Sequence, residues 1–356
     1  MKVNILTTNN FISYYFFYPL LVNKRRLRDL SIDIKYYDRL KENIYDCDVI
    51  LLDSKYFMSL WQDRGHVLSL LERIRKECEK VIWLDSTAST GTTHFQVLPY
   101  VDKYWKKQLL KDLKLYENNY YGARIYTDFY KNCFNLDEEE VARVEPIKSE
   151  YAGKLSVSWN LGLGPYSANR RFSNLMRLLP WTVKEKFGFR NRIKMKSLTD
   201  SRNNLVCFRG SSSYTNTALS FQRIKMIEKL KDRGIDTEPV GYRKYAKELN
   251  NSQIAVSPFG AGEICFRDFE IIISGALLFK PSMDHLVTWP DIYIDGETYV
   301  AIKWDLSDFN EKINNLIDNE KIITEMCRNA QETYSHYFTR QGQEGFCSRF
   351  EELIKC

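Results

Sequence analysis

Between residues 242 and 281 an amphipathic run, a short apolar strand, a loop, a second helix and another apolar strand follow each other without a break. The amphipathic run ends at Ser252, and Ile254–Ser257 reads as a strand. Pro258, Gly260 and Gly262 make the loop that opens into the second helix, Gly275 ends that helix, and Ala276–Phe279 is the next strand. Two apolar strands joined through a helix pair in parallel, so this segment predicts an α/β crossover. Its glycine-rich loop meets a helix N-terminus. Unpaired N–H groups and the positive end of the helix dipole suit a phosphate there. Glu263, Arg267 and Glu270 fall within about one face of the expected helix.

The alternation extends through the chain. Val3–Thr7, Ile34–Tyr37, Val49–Leu52 and Val81–Leu84 read as buried strands, and Trp61–Cys78 between the last two has helical spacing. Val157–Trp159 adds a strand that leads into a loop with Asn160, Gly162 and Gly164, a tight loop on a cleft wall. A second set begins at Asn204–Phe208 and continues through a helix over 220–233 and a strand near Thr237–Val240. This pattern predicts parallel sheets covered by helices on both faces. With 356 residues there is chain enough for two such domains. The expected organisation is a first domain over 1–168, a basic segment over 169–203, a second domain over 204–335, and a last helix over 336–356 returning to the first domain.

Composition excludes several classes. No run of about 18 apolar residues occurs, so no transmembrane helix is expected. The opening MKVNILTTNNF reads as a strand and turn rather than a secretion signal. The eight cysteines are scattered without a C-x-x-C pair, and the four histidines lie apart from them, which speaks against zinc and for a reducing cytosol. Asp46 and Asp48 form an Asp-x-Asp, but it precedes a strand rather than following one, and reads as a surface turn. The net charge of +6 is concentrated in residues 170–196, where Arg170, Arg171, Arg177, Lys184, Lys186, Arg190, Arg192, Lys194 and Lys196 alternate with Leu175, Leu178, Trp181 and Phe187. Such a stretch suits either an interdomain linker or an anionic membrane surface. An acidic patch, Asp137–Glu140, reads as the start of a surface helix. No nucleic-acid recognition motif accompanies the positive charge, so no nucleic-acid partner is expected.

The run S-P-F-G-x-G-E, then R-x-x-E, then S-G-A-L-L and a Lys-Pro turn resembles the donor-binding half of GT-B-type glycosyltransferases, in particular exostosin-like, fucosyltransferase-like and bacterial surface-polysaccharide members. W-D-L-S-D, E-K-I-x-x-L-I and the helix carrying Asn329, Ala330 and Tyr334 resemble the closing segment of the same enzymes. The resemblance covers the chain from about Leu205 onward. Retaining relatives carry a Glu-x7-Glu pair; here six residues separate Glu263 from Glu270. The resemblance implies two Rossmann-like domains facing a cleft. It implies a nucleotide-sugar donor, no cofactor and no required metal, and a glycan or lipid-linked acceptor in bacterial surface-polysaccharide synthesis. The enzyme would be cytoplasmic, or peripheral on the inner membrane face. A non-catalytic nucleotide-sugar binder and a nucleotide-sugar epimerase of the same fold are the alternatives.

Site roles follow from the resemblance. The Phe259, Gly260 and Gly262 loop with Arg267 would stabilise the departing nucleoside phosphate, and Glu263 at the helix start would join the donor-binding residues or simply pair with Arg267. Glu270 would accept the ribose hydroxyls. Arg209, in the loop after the first strand of the second domain, and Arg223 would face the donor phosphates, and Tyr242 would flank the base. An inverting mechanism needs a base at the acceptor hydroxyl. Asp85, immediately after a buried strand, and then His94 are the candidates, although Asp and Thr in such a loop also serve turn chemistry.

Overall fold

The computed structural model describes all residues except 137–143, 167–169, 190–192, 199–200 and 211–216. The acidic patch, Arg190, Arg192 and part of the loop that follows Arg209 therefore lie outside the described residues, as do the side chains of Arg170 and Arg171.

The first half contains β1 (Lys2–Leu6), β2 (Asp33–Tyr37), β3 (Val49–Asp53), β4 (Lys80–Asp85), β5 (Lys103–Lys106), β6 (Gln108–Leu110) and β7 (Leu155–Val157). Six of these form one sheet in the order β2-β1-β3-β4-β5-β7, and every pair in it is parallel. The central strands read as continuous apolar runs because both faces are covered: all five residues of β3 are buried. The strand order reverses between β1 and β3, and in open α/β sheets ligands bind at that switch, outside the C-terminal strand ends.

The second half contributes β8 (Asn204–Cys207), β9 (Ser252–Val256), β10 (Leu277–Pro281), β11 (Leu286–Thr288) and β12 (Tyr299–Ile302). Its sheet has the order β12-β10-β9-β8, again all parallel. The expected strand near Thr237–Val240 is absent. Among the described residues that segment makes one backbone hydrogen bond to the stretch after β8, from Gly210 N to Thr237 O at 3.3 Å, and forms no strand.

The halves are joined through an apolar seam. One cluster of buried side chains runs from Val3 and Ile5 under the first sheet to Ala255 and Leu278 of the second. The antiparallel pair β6–β11 crosses between them, with Thr288 opposite Gln108. Asn160 donates from Nδ2 to Pro290 O at 2.7 Å and to Thr288 Oγ1 at 3.0 Å. Gly162 presses against the second half so closely that a Cβ would lie 2.5 Å from the Phe269 ring. The aromatic richness of the chain is largely spent here. The helix Phe11–Val22 buries Tyr14, Phe16, Phe17 and Tyr18, and Phe16 stacks on Trp159. The last helix, Arg340–Lys355, packs on the first sheet: Phe350 meets Trp105 and Trp159, and Arg349 Nη2 donates to Val157 O at 2.5 Å. No helix among the described residues is long and apolar enough to cross a membrane.

Candidate functional site

The crossover helix spans Phe266–Ser274, and its ends are set locally. Cys265 caps it: Asp268 Oδ2 accepts from Cys265 N at 3.0 Å, closing a reciprocal capping box. Gly275 terminates it at φ 73°, the left-handed conformation that glycine tolerates without strain. Asp268 also anchors the helix start to the sheet. It accepts from Ser257 Oγ at 2.5 Å and Tyr293 Oη at 2.8 Å, and pairs with Lys280 at 3.2 Å, all buried. The helix N-terminus is thereby fixed over the gap between the two sheets.

A cavity of 300 Å³ fills that gap. From the first half it is lined by Ile12, Lys55, Ser86, Ala88, Lys107 and Leu161; from the second by Arg223, Ser257, Pro258 and residues 260–262 and 264–267. Lys55, Ser86 and Lys107 follow β3, β4 and β5, at the C-terminal edge where an α/β sheet presents its ligands. Asp53 holds these strand ends together, accepting from Thr7 Oγ1 at 2.7 Å, Ser13 Oγ at 2.6 Å and Ser86 Oγ at 3.0 Å. Four cationic side chains line the cavity, and no described lining residue is Asp or Glu. Arg267 is braced by its cation–π contact with the Phe208 ring at 5.0 Å and by Nη2 donating to Arg209 O at 2.6 Å. The first amides of a helix have no intrahelical acceptor, so those of Phe266 and Arg267 add positive partial charge to the same wall.

A second cavity, of 570 Å³, adjoins the first across the Phe266 ring. Phe11, Tyr15, Tyr166, Tyr242, Tyr245 and Phe266 supply aromatic faces to it, with Asn174 and Arg177 at one side. Glu270, one turn beyond Phe266, is its only acidic lining residue among those described. Tyr242 is exposed, at 46%, at the cavity mouth. An aromatic chamber with one carboxylate beside a cationic chamber matches a flat, hydroxyl-bearing group linked to a polyanion.

The structure thus brings together Arg267, Arg223, Gly260 and Gly262 around one cavity and Glu270 and Tyr242 around its neighbour. It separates the other expected site residues from them. Glu263 precedes the helix and is fully buried, turned toward the first half. Its carboxylate accepts from Thr90 Oγ1 at 2.6 Å, Thr90 N at 3.1 Å, Gln108 Nε2 at 3.1 Å and Ser89 Oγ at 3.3 Å, with His285 Nε2 3.7 Å away. Burial alone would raise its pKa; His285 and the Thr90 donors outweigh that and hold it at about 2. Glu263 is a latch between the halves, not a partner of Arg267. Gly262 serves the same latch, since a Cβ there would sit 1.9 Å from Ala88 O. Phe259 is a buried ring against Tyr126 and Trp304. Its amide donates to Gln222 Oε1 at 2.8 Å, and Gly260 N bonds Gly262 O, so these two loop amides are engaged within the protein.

Arg209 is likewise committed elsewhere. Glu248 grips it at 2.6 and 3.0 Å and Asp236 at 2.5 Å, outside both cavities. Its charge is neutralised by two carboxylates, so the expected phosphate role does not fit its position.

Asp85 and His94 line neither cavity. Asp85 is fully buried and sits opposite Lys106 in the β4–β5 register. Lys106 Nζ is 3.0 Å from it, and Tyr104 Oη donates to it. Burial opposes its ionisation, but Lys106 and then His94 outweigh that and hold the pKa well below the usual carboxylate range. A carboxylate with those properties is closed to an acceptor hydroxyl and is a poor base. His94 stacks on Trp61, with Nδ1 3.9 Å from Asp85. Asp46 and Asp48 are occupied by Lys2, through its side chain at 2.8 Å and its amide at 2.7 Å. Sequence reasoning missed Lys55, Lys107 and Tyr245. The strand-end rule that singled out Asp85 would also have found Lys55, just beyond β3; Lys107 was hidden because Lys103–Lys106, half of it lysine, did not read as a strand.

No family model matches the chain, and no curated protein matches it. Solved structures do align with it. HepE of Anabaena in complex with UDP-glucose aligns at TM-score 0.48 and 10% identity, covering 100% of both chains. A DNA-modifying β-glucosyltransferase aligns at 0.47 and 10%, also over 100% of both. TarM aligns at 0.45 and 10%, over 86% of this chain, which spans 55% of TarM. Likeness this distant assigns no activity. The chain's own topology gives the architecture: two Rossmann-like halves facing a cleft, with the last helix returning to the first half, form the GT-B fold.

Proposed function

We propose that this protein is a glycosyltransferase that moves a sugar from a nucleoside diphosphate sugar to an acceptor hydroxyl. The observation that carries this reading is the pair of adjoining cavities, one with four cations and no carboxylate among its described lining residues, the other aromatic with a single carboxylate. The base would lie among Tyr242, Tyr245 and Tyr15, the ribose hydroxyls would donate to Glu270, and the diphosphate would enter the cationic cavity. As the glycosidic bond to the diphosphate breaks, negative charge grows on the leaving phosphate. Arg267, Arg223 and the helix N-terminus are fixed donors that stabilise it without reorganising. Because side chains supply this charge, the reaction would proceed without a divalent ion.

The acceptor would be a glycan or a lipid-linked oligosaccharide of a bacterial surface polysaccharide, met at the cytoplasmic face of a membrane. Leu175, Leu178 and Phe187 support this: they are 56%, 68% and 43% exposed in a segment that also exposes Lys186, Lys194 and Lys196. Trp181, from the same segment, is buried on Tyr36 and anchors it to the first half.

The test is incubation of purified protein with UDP-, GDP- and dTDP-sugars, followed by NMR. Slow release of nucleoside diphosphate that an acceptor accelerates is expected. Epimerised donor without transfer, or no turnover of any donor, would contradict the proposal.

A further inference from the structure

Lys106, the last residue of β5, and Lys107, immediately after it, point to opposite sides. Lys106 turns to the interior and meets Asp85 at 3.0 Å. Lys107 turns to the cationic cavity. It is only 2% exposed, and no hydrogen bond or ion pair from its ammonium is found among the described residues. The backbone beneath it is pinned, since Lys107 O accepts from Thr288 Oγ1 at 2.8 Å. A buried cation without a protein counter-ion is costly, and an anion that enters its cavity relieves the cost. Arg223 and Arg267 face the same space from the other half of the protein.

We propose that Lys107 is a catalytic residue: its ammonium contacts the donor diphosphate from the first half and closes a cation clamp with Arg223 and Arg267 of the second. This rests on the nucleotide-sugar reading of the cleft. Lys107 differs from the two arginines in being able to lose its proton. Burial, with repulsion from Lys106 and Lys55, lowers its pKa to about 7, against the weaker opposing pull of Glu263 and Cys265. With a pKa of about 7 the amine is largely neutral at pH 8 when no anion is bound. An entering diphosphate raises that pKa, and the amine takes a proton from the buffer to become the ammonium that meets the phosphate oxygen. Binding at pH 8 should consume close to one proton, and departure of the product should release it.

The experiment is titration calorimetry at pH 8 in two buffers of different ionisation enthalpy, with UDP, GDP, dTDP and inorganic pyrophosphate as probes. Wild type, Lys107→Met and Lys107→Arg are compared. Wild type should take up a proton. Lys107→Met should lose that uptake and bind roughly 10- to 100-fold more weakly. Lys107→Arg should bind without uptake. Replacing a buried amine that lacks a protein counter-ion by an apolar chain of similar length should leave the melting temperature at or above that of wild type, which separates lost contact from lost fold. Nucleotide binding with equal affinity and uptake in wild type and Lys107→Met would overturn the inference and leave the donor reading standing. Pyrophosphate binding with Lys107-dependent uptake, but no nucleotide binding, would uphold the anion contact and remove the donor reading. No binding of any probe would overturn both.

Discussion

Glu263→Gln tests whether the two halves are held by a buried carboxylate. The wild-type side chain accepts four hydrogen bonds from Ser89, Thr90 and Gln108 and lies 3.7 Å from His285. An amide in its place keeps one acceptor oxygen but turns an NH2 group toward donors. The depression from the ordinary 4.5 to about 2 corresponds to about 3 kcal/mol of stability at neutral pH. That agrees with the ~3–5 kcal/mol typical of breaking a buried charged contact. The sign follows from the direction. A carboxylate whose folded pKa is depressed contributes fully above 4.5 and loses that contribution as pH falls through about 2. Urea unfolding followed by tryptophan fluorescence should therefore show the variant about 3 kcal/mol less stable than wild type at pH 7. The gap should close as pH falls from 4.5 toward 2. A difference below ~0.5 kcal/mol at pH 7, the scale of an ordinary surface change, would refute the latch. So would a difference of full size that does not change with pH across that window.

Glu270→Gln should leave the fold intact and weaken nucleotide binding by ~1.5–3 kcal/mol, through loss of a charged acceptor; unchanged affinity in calorimetry would remove Glu270 from the donor site. Asp85→Asn should lower stability by several kcal/mol, because Lys106 is left charged and buried without its partner, and the nucleotide affinity of the folded fraction should be normal. A variant as stable as wild type but dead in transfer would restore Asp85 to the chemistry.

The apolar runs made β1 to β4 and β8 to β10 legible, because parallel strands covered on both faces read as continuous hydrophobic stretches, whereas β5, with a lysine at each end, and β12 were not among the expected strands. Gly275 was legible for a local reason, since its left-handed backbone restricts the residue type, whereas Gly262 is required by the distant Ala88. The misread residues share one property: their partners are distant in the chain. Glu263 has a natural i,i+4 partner in Arg267, yet its acceptors face Thr90, 173 residues away. Asp85 reads as a cleft residue until the β4–β5 register sets Lys106 beside it. Arg209 is at a strand end, as a phosphate ligand would be, but Glu248 and Asp236 reach it from elsewhere in the second half. Thr237–Val240 forms no ladder although β8 is an edge strand among the described residues, because Pro239 has no N–H to donate. Local chemistry proposes a charged residue for a site, and the tertiary counter-ion decides whether it is spent.

The central claim is that protein cations, not a metal, hold a nucleoside diphosphate between the two halves. Calorimetry of UDP, GDP and dTDP against the purified protein in EDTA measures this directly. At least one nucleoside diphosphate should bind without a divalent ion, and Arg267→Ala should weaken it by roughly 10-fold or more. Binding that appears only when Mg²⁺ or Mn²⁺ replaces EDTA, or that is indifferent to Arg267, would contradict the account.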